Sequence, residues 1–214
     1  IVDAAPLDER SARMALAQIF KQHQVDIQPP ALDALVQRTN GQYSVMMGEV
    51  RKLLTYASDG SPLTVAAVSA LVPKQLNDRV FDLVTDVLRQ NAADALALYR
   101  DLLAQREEPI RLNALMLGQF RLLIQVKLLA QKGYGQGDIA ATLKAHPYRV
   151  KLALRQVGRL PYHQLAQAYS GLVDTETAMK TGTIDKALAF ELFMLKYTGQ
   201  ASAHRKGKYT ASRS

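Results

Sequence analysis

The side chains that could perform chemistry are few and scattered along this 214-residue sequence. It contains no cysteine, which excludes thiolate nucleophiles, disulfides and cysteine metal sites. Its four histidines do not pair with one another or with a carboxylate at helical metal-ligand spacing. They are His23, His146, His163 and His204. Each is better explained as a surface or capping residue than as a metal ligand.

Motifs for phosphate cradling and nucleophilic catalysis are also absent from the sequence. Gly133, Gly135 and Gly137 follow a predicted helix instead of a strand, so they favour a helix end and a turn over a dinucleotide loop. The adjacent acids Glu107 and Glu108 do not converge on one point, which favours a solvated helix end over an acid–base pair. We therefore predict no catalytic residue, no cofactor and no metal, and interpret the protein as a non-enzyme.

Basic residues are the one chemical feature that stands out. The formal net charge is +8 and the isoelectric point is near 9.7. Between Lys127 and Arg159 the chain has seven lysines or arginines and one acid, Asp138. Residues 200–214 add four cations and no acid. The positive charge is thus concentrated in the last part of the chain, which indicates a polyanionic partner there.

Three of these cations, Lys151, Arg155 and Arg159, are four residues apart. A helix would place them on one face, where they could pair with phosphates and release counterions. Together with Lys144 and Arg149 they are our predicted nucleic-acid contact, and a solvated outer helix face is the alternative interpretation. The segment from Gly135 to Leu143, followed by residues 148–160, is also similar to a helix-turn-helix, although such helix pairs are common in all-α proteins.

The elements that position these residues are predicted to be helical nearly throughout, because apolar residues recur at steps of three and four. The sequence predicts eleven helices and no confident strand. A broad apolar stripe in the first helix contains Met14, Leu16, Ile19 and Phe20. We predict the seventh helix over 110–132, the eighth over 137–143, the ninth over 148–159 and the eleventh over 184–197. The apolar run 114–130 carries Arg121 and Lys127, so we predict a buried helix and not a membrane span.

Turn residues divide the chain. The cluster Asp59–Pro62 and the later Pro73 bound a compact bundle of about four helices. We therefore predict a first domain over 1–73, a second over 74–199 and a basic flexible tail over 200–214. No targeting signal is visible at the start, which with the lack of cysteine favours the cytoplasm. There is also no initiator methionine, so we expect a piece of a longer protein.

The order of several motifs resembles one family. The stretch Gly41–Tyr56, with Glu49, Lys52 and Leu53 as a Glu-x-x-Lys-Leu, is similar to the lid-helix signature of the bacterial DNA polymerase III delta subunit. Residues 77–84 are similar to that family's entry into its collar domain. The later motifs follow in the family's order: Gln119–Leu123, Lys127, Gly133, His146–Lys151, Asp174–Lys180, Gly182 and Asp185. The resemblance covers roughly residues 1–198.

This resemblance implies an all-α chain made of a three- to four-helix AAA+-type lid bundle followed by a helical collar. It implies a non-catalytic subunit of the replicative clamp loader, within a DNA-directed DNA polymerase holoenzyme, that helps to load the sliding clamp onto primed DNA. Its partners would be tau/gamma-type and delta-prime-type loader subunits, held through the collar. The clamp itself would be bound only by an N-terminal ATPase-like domain that is not in this sequence.

The resemblance also bears on ATP. Active relatives supply an arginine to the nucleotide from the third lid helix, and that position falls near Ser44 here, with Arg51 and Lys52 about two turns on. Serine cannot neutralise a phosphate charge, and Arg51 and Lys52 are poor substitutes. This agrees with what the resemblance implies, a delta subunit that opens the clamp without hydrolysing ATP. The alternative function is a helical nucleic-acid-binding protein that uses the basic helix-turn-helix-like segment.

Overall fold

The computed structural model describes residues 9–39, 43–158 and 160–210, with side chains described for 10–39, 43–158 and 160–199. Over these residues the chain is helical and has no strand beyond one isolated bridge between Ile27 and Leu63. The all-α prediction is therefore confirmed. The helices are α1 Glu9–Gln22, α2 Pro29–Arg38, α3 Tyr43–Tyr56, α4 Val65–Leu71, α5 Leu76–Arg89, α6 Ala92–Ala104, α7 Pro109–Gln131, α8 Gln136–Leu143, α9 Pro147–Val157, α10 Tyr162–Thr181 and α11 Lys186–Thr210, with a short 3-10 turn at Ala57–Asp59.

The helices form two compact units. The first contains α1–α4, α8 and the start of α9, and the second contains α5–α7, the end of α9, α10 and α11. The chain first passes between units after Gln75, close to the predicted break after Pro73. Residues 136–152 group with the first unit, whereas the predicted second domain includes them. The division into lid and collar domains stays a prediction.

The core of the first unit comes from one face of each of the helices α1–α4. Leu16 and Phe20 of α1 are buried there, as the apolar stripe predicts. The predicted stripe also includes Met14, but the Met14 side chain is 56% exposed. Ala12 is buried on this face of the helix instead. Residues at i and i+4 share a face, so Ala12, Leu16 and Phe20 form a narrower stripe than the one predicted.

Two cations hold the C-terminal end of α4 in the first unit. Arg38 Nη1 donates to the Val72 carbonyl at 2.7 Å. Lys52 Nζ lies 3.5 Å from the Leu71 carbonyl and 2.5 Å from the Glu49 carboxylate. Because the last carbonyls of a helix lack intrahelical donors and carry partial negative charge, cations there are favourable. The Glu-x-x-Lys pair of the family-like motif therefore ties α3 to α4.

Several helices end on a residue with a left-handed backbone that is not glycine. Gln24, Gln90, Arg106 and Lys144 have φ between 49° and 63°. After each, the chain donates back across the last turn, as when the Ala145 N–H bonds to the Ala140 carbonyl at 3.0 Å. Such ends usually carry glycine, because a Cβ in this region costs about 1 kcal/mol. Gly133 after α7 and Gly182 after α10 have the same left-handed backbone, and there the residue type itself favours a helix end.

In the second unit α7 is the central helix and packs most extensively against α10. By length and composition α7 could cross a membrane, but its buried face belongs to this core. That face contains Leu112, Met116, Phe120, Leu123 and Val126, all at most 2% exposed. The buried Asn113 donates to the Leu172 carbonyl of α10 at 3.2 Å. The apolar run thus forms a core helix, as predicted.

Aromatic side chains fasten α11 to its neighbours. Tyr99 of α6 is buried, with its ring centroid 4.9 Å from that of Phe190 and its hydroxyl donating to the Ala187 carbonyl at 3.1 Å. Burial raises the pKa of Tyr99 well above its usual range, and nearby Glu191 and Asp185 add to the effect. The hydroxyl therefore stays a donor. At the other end, Tyr197 donates to the Gln167 carbonyl of α10 at 2.8 Å.

The backbone of α11 continues to Thr210, beyond the predicted end at Tyr197 and into the segment predicted as a flexible tail. This segment lacks apolar periodicity, which is why the sequence predicted no helix there. It is nonetheless rich in alanine, lysine and arginine and has no proline, so helical backbone bonding can propagate through it. Residues 211–214 lie outside the described residues.

Gly171 of α10 provides a test of the α10–α11 contact. A Cβ at this position would overlap the ring and hydroxyl of Tyr197. We expect Gly171→Ala to displace Tyr197, break its bond to Gln167 and lower the free energy of unfolding by about 1–3 kcal/mol. Urea unfolding followed by circular dichroism measures this.

The matched control is Gly118→Ala in α7, where a Cβ would meet nothing within 4 Å. Removing glycine from a helix interior stabilises by about 0.5–1 kcal/mol, so the control should move in the opposite direction. Equal shifts in the two variants would contradict the close packing of Tyr197 on Gly171.

Candidate nucleic-acid interface

The predicted nucleic-acid contacts that the structure describes differ in their exposure. Lys151 and Arg155 lie one turn apart on α9, but Lys151 is half-buried and Arg155 is exposed. Arg159 lies outside the described residues, and α9 ends at Val157, two residues before it. Arg149 is half-buried in the first turn of α9, and Lys144 is exposed in the preceding turn. The prediction that these residues contact nucleic acid is not tested by this geometry.

The helix-turn-helix-like segment has the expected parts, since α8 and α9 are joined by three residues. A recognition helix needs an exposed face that can enter the major groove. In α9 only Pro147 and Arg155 are exposed, whereas Tyr148, Val150, Ala153 and Val157 are buried. This helix therefore serves mainly as a core element, which does not favour groove reading by α9.

His146 caps the N-terminus of α9. Its Nδ1 accepts a hydrogen bond from the Tyr148 N–H at 3.2 Å, so this nitrogen carries no proton. Its Nε2 is buried and has no hydrogen-bond partner among the described residues. Burial lowers the pKa of His146, and the charge of Arg149 lowers it further. Burial and the charge of Arg149 therefore favour the neutral imidazole in this histidine, for which the sequence predicts a surface or capping role.

A basic groove of about 650 Å³ lies within the first unit. It is lined by side chains from α1 and from the segment around the start of α9. The lining residues that carry polar groups are Arg10, Arg13, Gln136, His146, Tyr148 and Lys151. Only Lys151 was among the predicted contacts. Arg10 and Arg13 are far away in sequence and carry no local motif, so no sequence signal marked them.

Arg13 is partly neutralised in this groove. Its Nε lies 2.9 Å from Asp33 Oδ1, and both side chains are about 40% exposed. The carboxylate therefore offsets part of the positive charge of the guanidinium. Within the part of the chain that the structure describes, no group of three or more histidine or acidic residues could hold a metal ion.

The second unit presents a different kind of surface. Leu188, Leu192 and Leu195 recur along α11 and are 47%, 47% and 45% exposed. We call these three residues the leucine stripe. On the opposite side of the same helix, Phe190, Phe193 and Met194 are buried in the core. Between Leu188 and Leu195, helix α11 is therefore apolar on two opposite sides, which indicates a second packing partner.

The capping role of His146 predicts a pH dependence. The pKa of His146 is lower in the folded chain than in the unfolded chain, where histidines titrate at about 6.5. The unfolded state therefore binds more protons, so stability is complete above that pH and falls as the pH decreases toward the lowered pKa of the folded state. We expect His146→Asn, which retains a good N-cap, to lose less stability between neutral and mildly acidic pH.

The measurement is the urea midpoint of the two proteins across that pH range. His163→Asn, at an exposed position on α10, is the matched control and should keep the acid sensitivity of the unsubstituted chain. If His146→Asn also keeps it in full, His146 is not the group responsible.

Comparison with known proteins identifies the family. The family model for the C-terminal domain of the DNA polymerase III delta subunit matches residues 77–197. The DNA polymerase III subunit delta of Bacillus subtilis (strain 168) is 36% identical over 196 residues, which are 92% of this chain and 56% of the relative. The solved structure of the Bacillus subtilis DNA clamp loader delta protein matches with a TM-score of 0.83 at 36% identity, over 92% of this chain and 58% of that one.

This chain therefore spans somewhat more than half the length of the relatives that it matches. The family model covers more than half of its residues, and the identity extends over nearly all of them. The family-like motifs from residue 77 to Asp185 lie within the range of the family model. The chain belongs to the DNA polymerase III delta subunit family.

Proposed function

We propose that this chain is a non-catalytic part of the replicative clamp loader, which contributes to assembly of the loader and so to loading of the sliding clamp onto primed DNA. Family membership supports the proposal, since a relative is named a DNA clamp loader delta protein. The comparisons do not favour the alternative of an independent helix-turn-helix protein. Residues 1–73 would be the lid and residues 74–199 the collar.

The leucine stripe is the observation that carries the assembly role. It lies at positions 188–195, inside the range matched by the family model. Leu192 also lines a cleft of about 220 Å³ between α10 and α11, together with Ile184, Phe193 and Tyr197. Apolar surface that becomes buried at the core of an interface favours association. A cleft beside a row of half-exposed leucines fits such an interface.

The partners in this proposal are the tau/gamma-type and delta-prime-type loader subunits, held through the collar. Covering the remaining surface of each leucine would contribute about 1 kcal/mol at 25 cal/mol per Å². The sliding clamp would be held by an N-terminal ATPase-like domain and not by these residues. Ser44 is exposed near the start of α3 and Lys52 is paired with Glu49, which supports a chain that does not act on ATP. The work would take place in the cytoplasm.

Contact with primed DNA is a further element of this proposal. The candidate residues are Lys144, Arg149, Lys151, Arg155 and Arg159. Their concentration in a short segment of otherwise low acid content supports an electrostatic and sequence-independent role. The buried face of α9 argues that these cations would bind phosphates and not read bases.

Assembly through the leucine stripe predicts a specific defect. We expect Leu192→Glu to reduce recovery of this chain with the complete set of loader subunits by about tenfold or more, because a charge would be buried at the interface. Co-purification from a mixture of all the subunits, followed by quantitative gel analysis, measures recovery. Recovery of none of them by the unsubstituted chain would refute the assembly role.

Leu128→Glu is the matched control. Leu128 is a leucine on α7 of the same unit, 41% exposed and outside the stripe. The same substitution there should leave assembly unchanged. Equal losses in the two variants would show that the defect is a general effect of added charge and would remove the stripe from the interface.

A further inference from the structure

We propose that the basic groove of the first unit binds a phosphate group of a DNA strand, with Arg10 and Arg13 of α1 as its main ligands. The inference deepens the proposed function and rests on it, because the clamp-loader assignment is what makes DNA the source of the phosphate. The groove adds two arginines that the predicted contact segment does not contain. It also places Lys151 with them in one compact unit.

The charge of the groove carries the argument. Arg10, Arg13 and Lys151 contribute three permanent cations, and none of the lining residues that the structure describes is a carboxylate. The pair with Asp33 offsets part of the charge of Arg13 through Nε. Like charges gathered around one concave surface repel each other, and an anion within it relieves that repulsion. Arginine in particular offers paired N–H donors that match two phosphate oxygens.

The start of α9 contributes to the same field. The first turn of α9 contains no acid, although acids there would favour the helix dipole, and it contains Arg149 instead. The first turn of α9 also lines the groove through Tyr148. The partial positive charge of a helix N-terminus adds to a potential that attracts phosphate.

The form of the groove favours a polymer over a free nucleotide. It is an open groove and not an enclosed pocket. Its aromatic residue, Tyr148, is buried with 9% exposure, so it offers little ring surface on which a base could stack. Exposed Lys144 lies in the turn just before α9 and extends the positive surface beyond the groove. These features fit a phosphodiester backbone that is bound without regard to sequence.

The test measures DNA binding by the whole chain and by single variants. Fluorescence anisotropy with a labelled primed duplex is recorded between about 50 and 200 mM salt. We expect Arg10→Gln and Arg13→Gln each to weaken binding about tenfold at the lower salt. We also expect the slope of log affinity against log salt to become less steep by about 1 in each variant, which corresponds to the loss of one phosphate contact.

Arg51→Gln is the matched control, since Arg51 is exposed on α3 in the same unit and does not line the groove. It removes the same charge and should change affinity much less. Thermal unfolding of each variant identifies any loss of fold. Because Arg10 is exposed, its substitution is the decisive one. Equal effects of Arg10→Gln and Arg51→Gln would overturn the proposal, as would absence of binding at low salt.

Competition separates the sources of phosphate. Inorganic phosphate and ATP are added to the complex with the labelled duplex. If either one displaces DNA at concentrations far below those at which ordinary salt does so, the groove is a small-anion site and a DNA strand is not its ligand. Recovery of Arg10→Gln with the loader subunits should equal that of the unsubstituted chain. A chain that assembles normally but shows no groove-dependent binding would refute this inference and leave the proposed function standing.

Discussion

The second unit depends on the burial of aromatic residues along one side of α11. Tyr99 contacts Phe190, and Tyr197 packs on Gly171 where no side chain intervenes. These contacts define the rotation of α11 about its own axis, because residues three and four apart share a helical face. Once that side is turned to the core, the leucine stripe must face outward. The exposed apolar surface is therefore a consequence of internal packing. A rotation of α11 that buried the leucine stripe would break the aromatic contacts.

The first unit depends more on polar connections at helix ends. The carbonyls after α4 receive Arg38 and Lys52, and the N-terminus of α9 receives His146. A short bundle buries limited apolar surface, so satisfying terminal backbone groups is a larger part of its stability. This explains why a family-like motif such as Glu49 and Lys52 has a structural role here. Its charges serve the connection between α3 and α4, and no nucleotide is needed to account for them.

The sequence predicted what depends on local pattern. Helix type, the number of helices in the described residues and the core role of α7 all follow from periodicity and residue type, and the structure agrees. Features that depend on distant contacts were not predictable. Lys144 occupies a left-handed position that residue type favours for glycine, and α11 extends past the end of its apolar pattern. Arg10 reaches the groove only because folding brings α1 to residues more than a hundred positions away.

The contrast between local pattern and distant contacts also applies to the row of basic residues. Their four-residue spacing predicts a shared helical face but not the exposure of that face. A spacing of four residues places Lys151 and Arg155 on one helical face, but it does not say whether that face is covered. Core contacts occupy most of α9, and its half-buried Lys151 lines a groove together with Arg10 and Arg13 of α1. Net charge therefore indicates a polyanionic partner, while tertiary packing decides which cations can act together. In this chain the apolar surface and the basic groove belong to different units, so substitutions can change one without altering the core that supports the other.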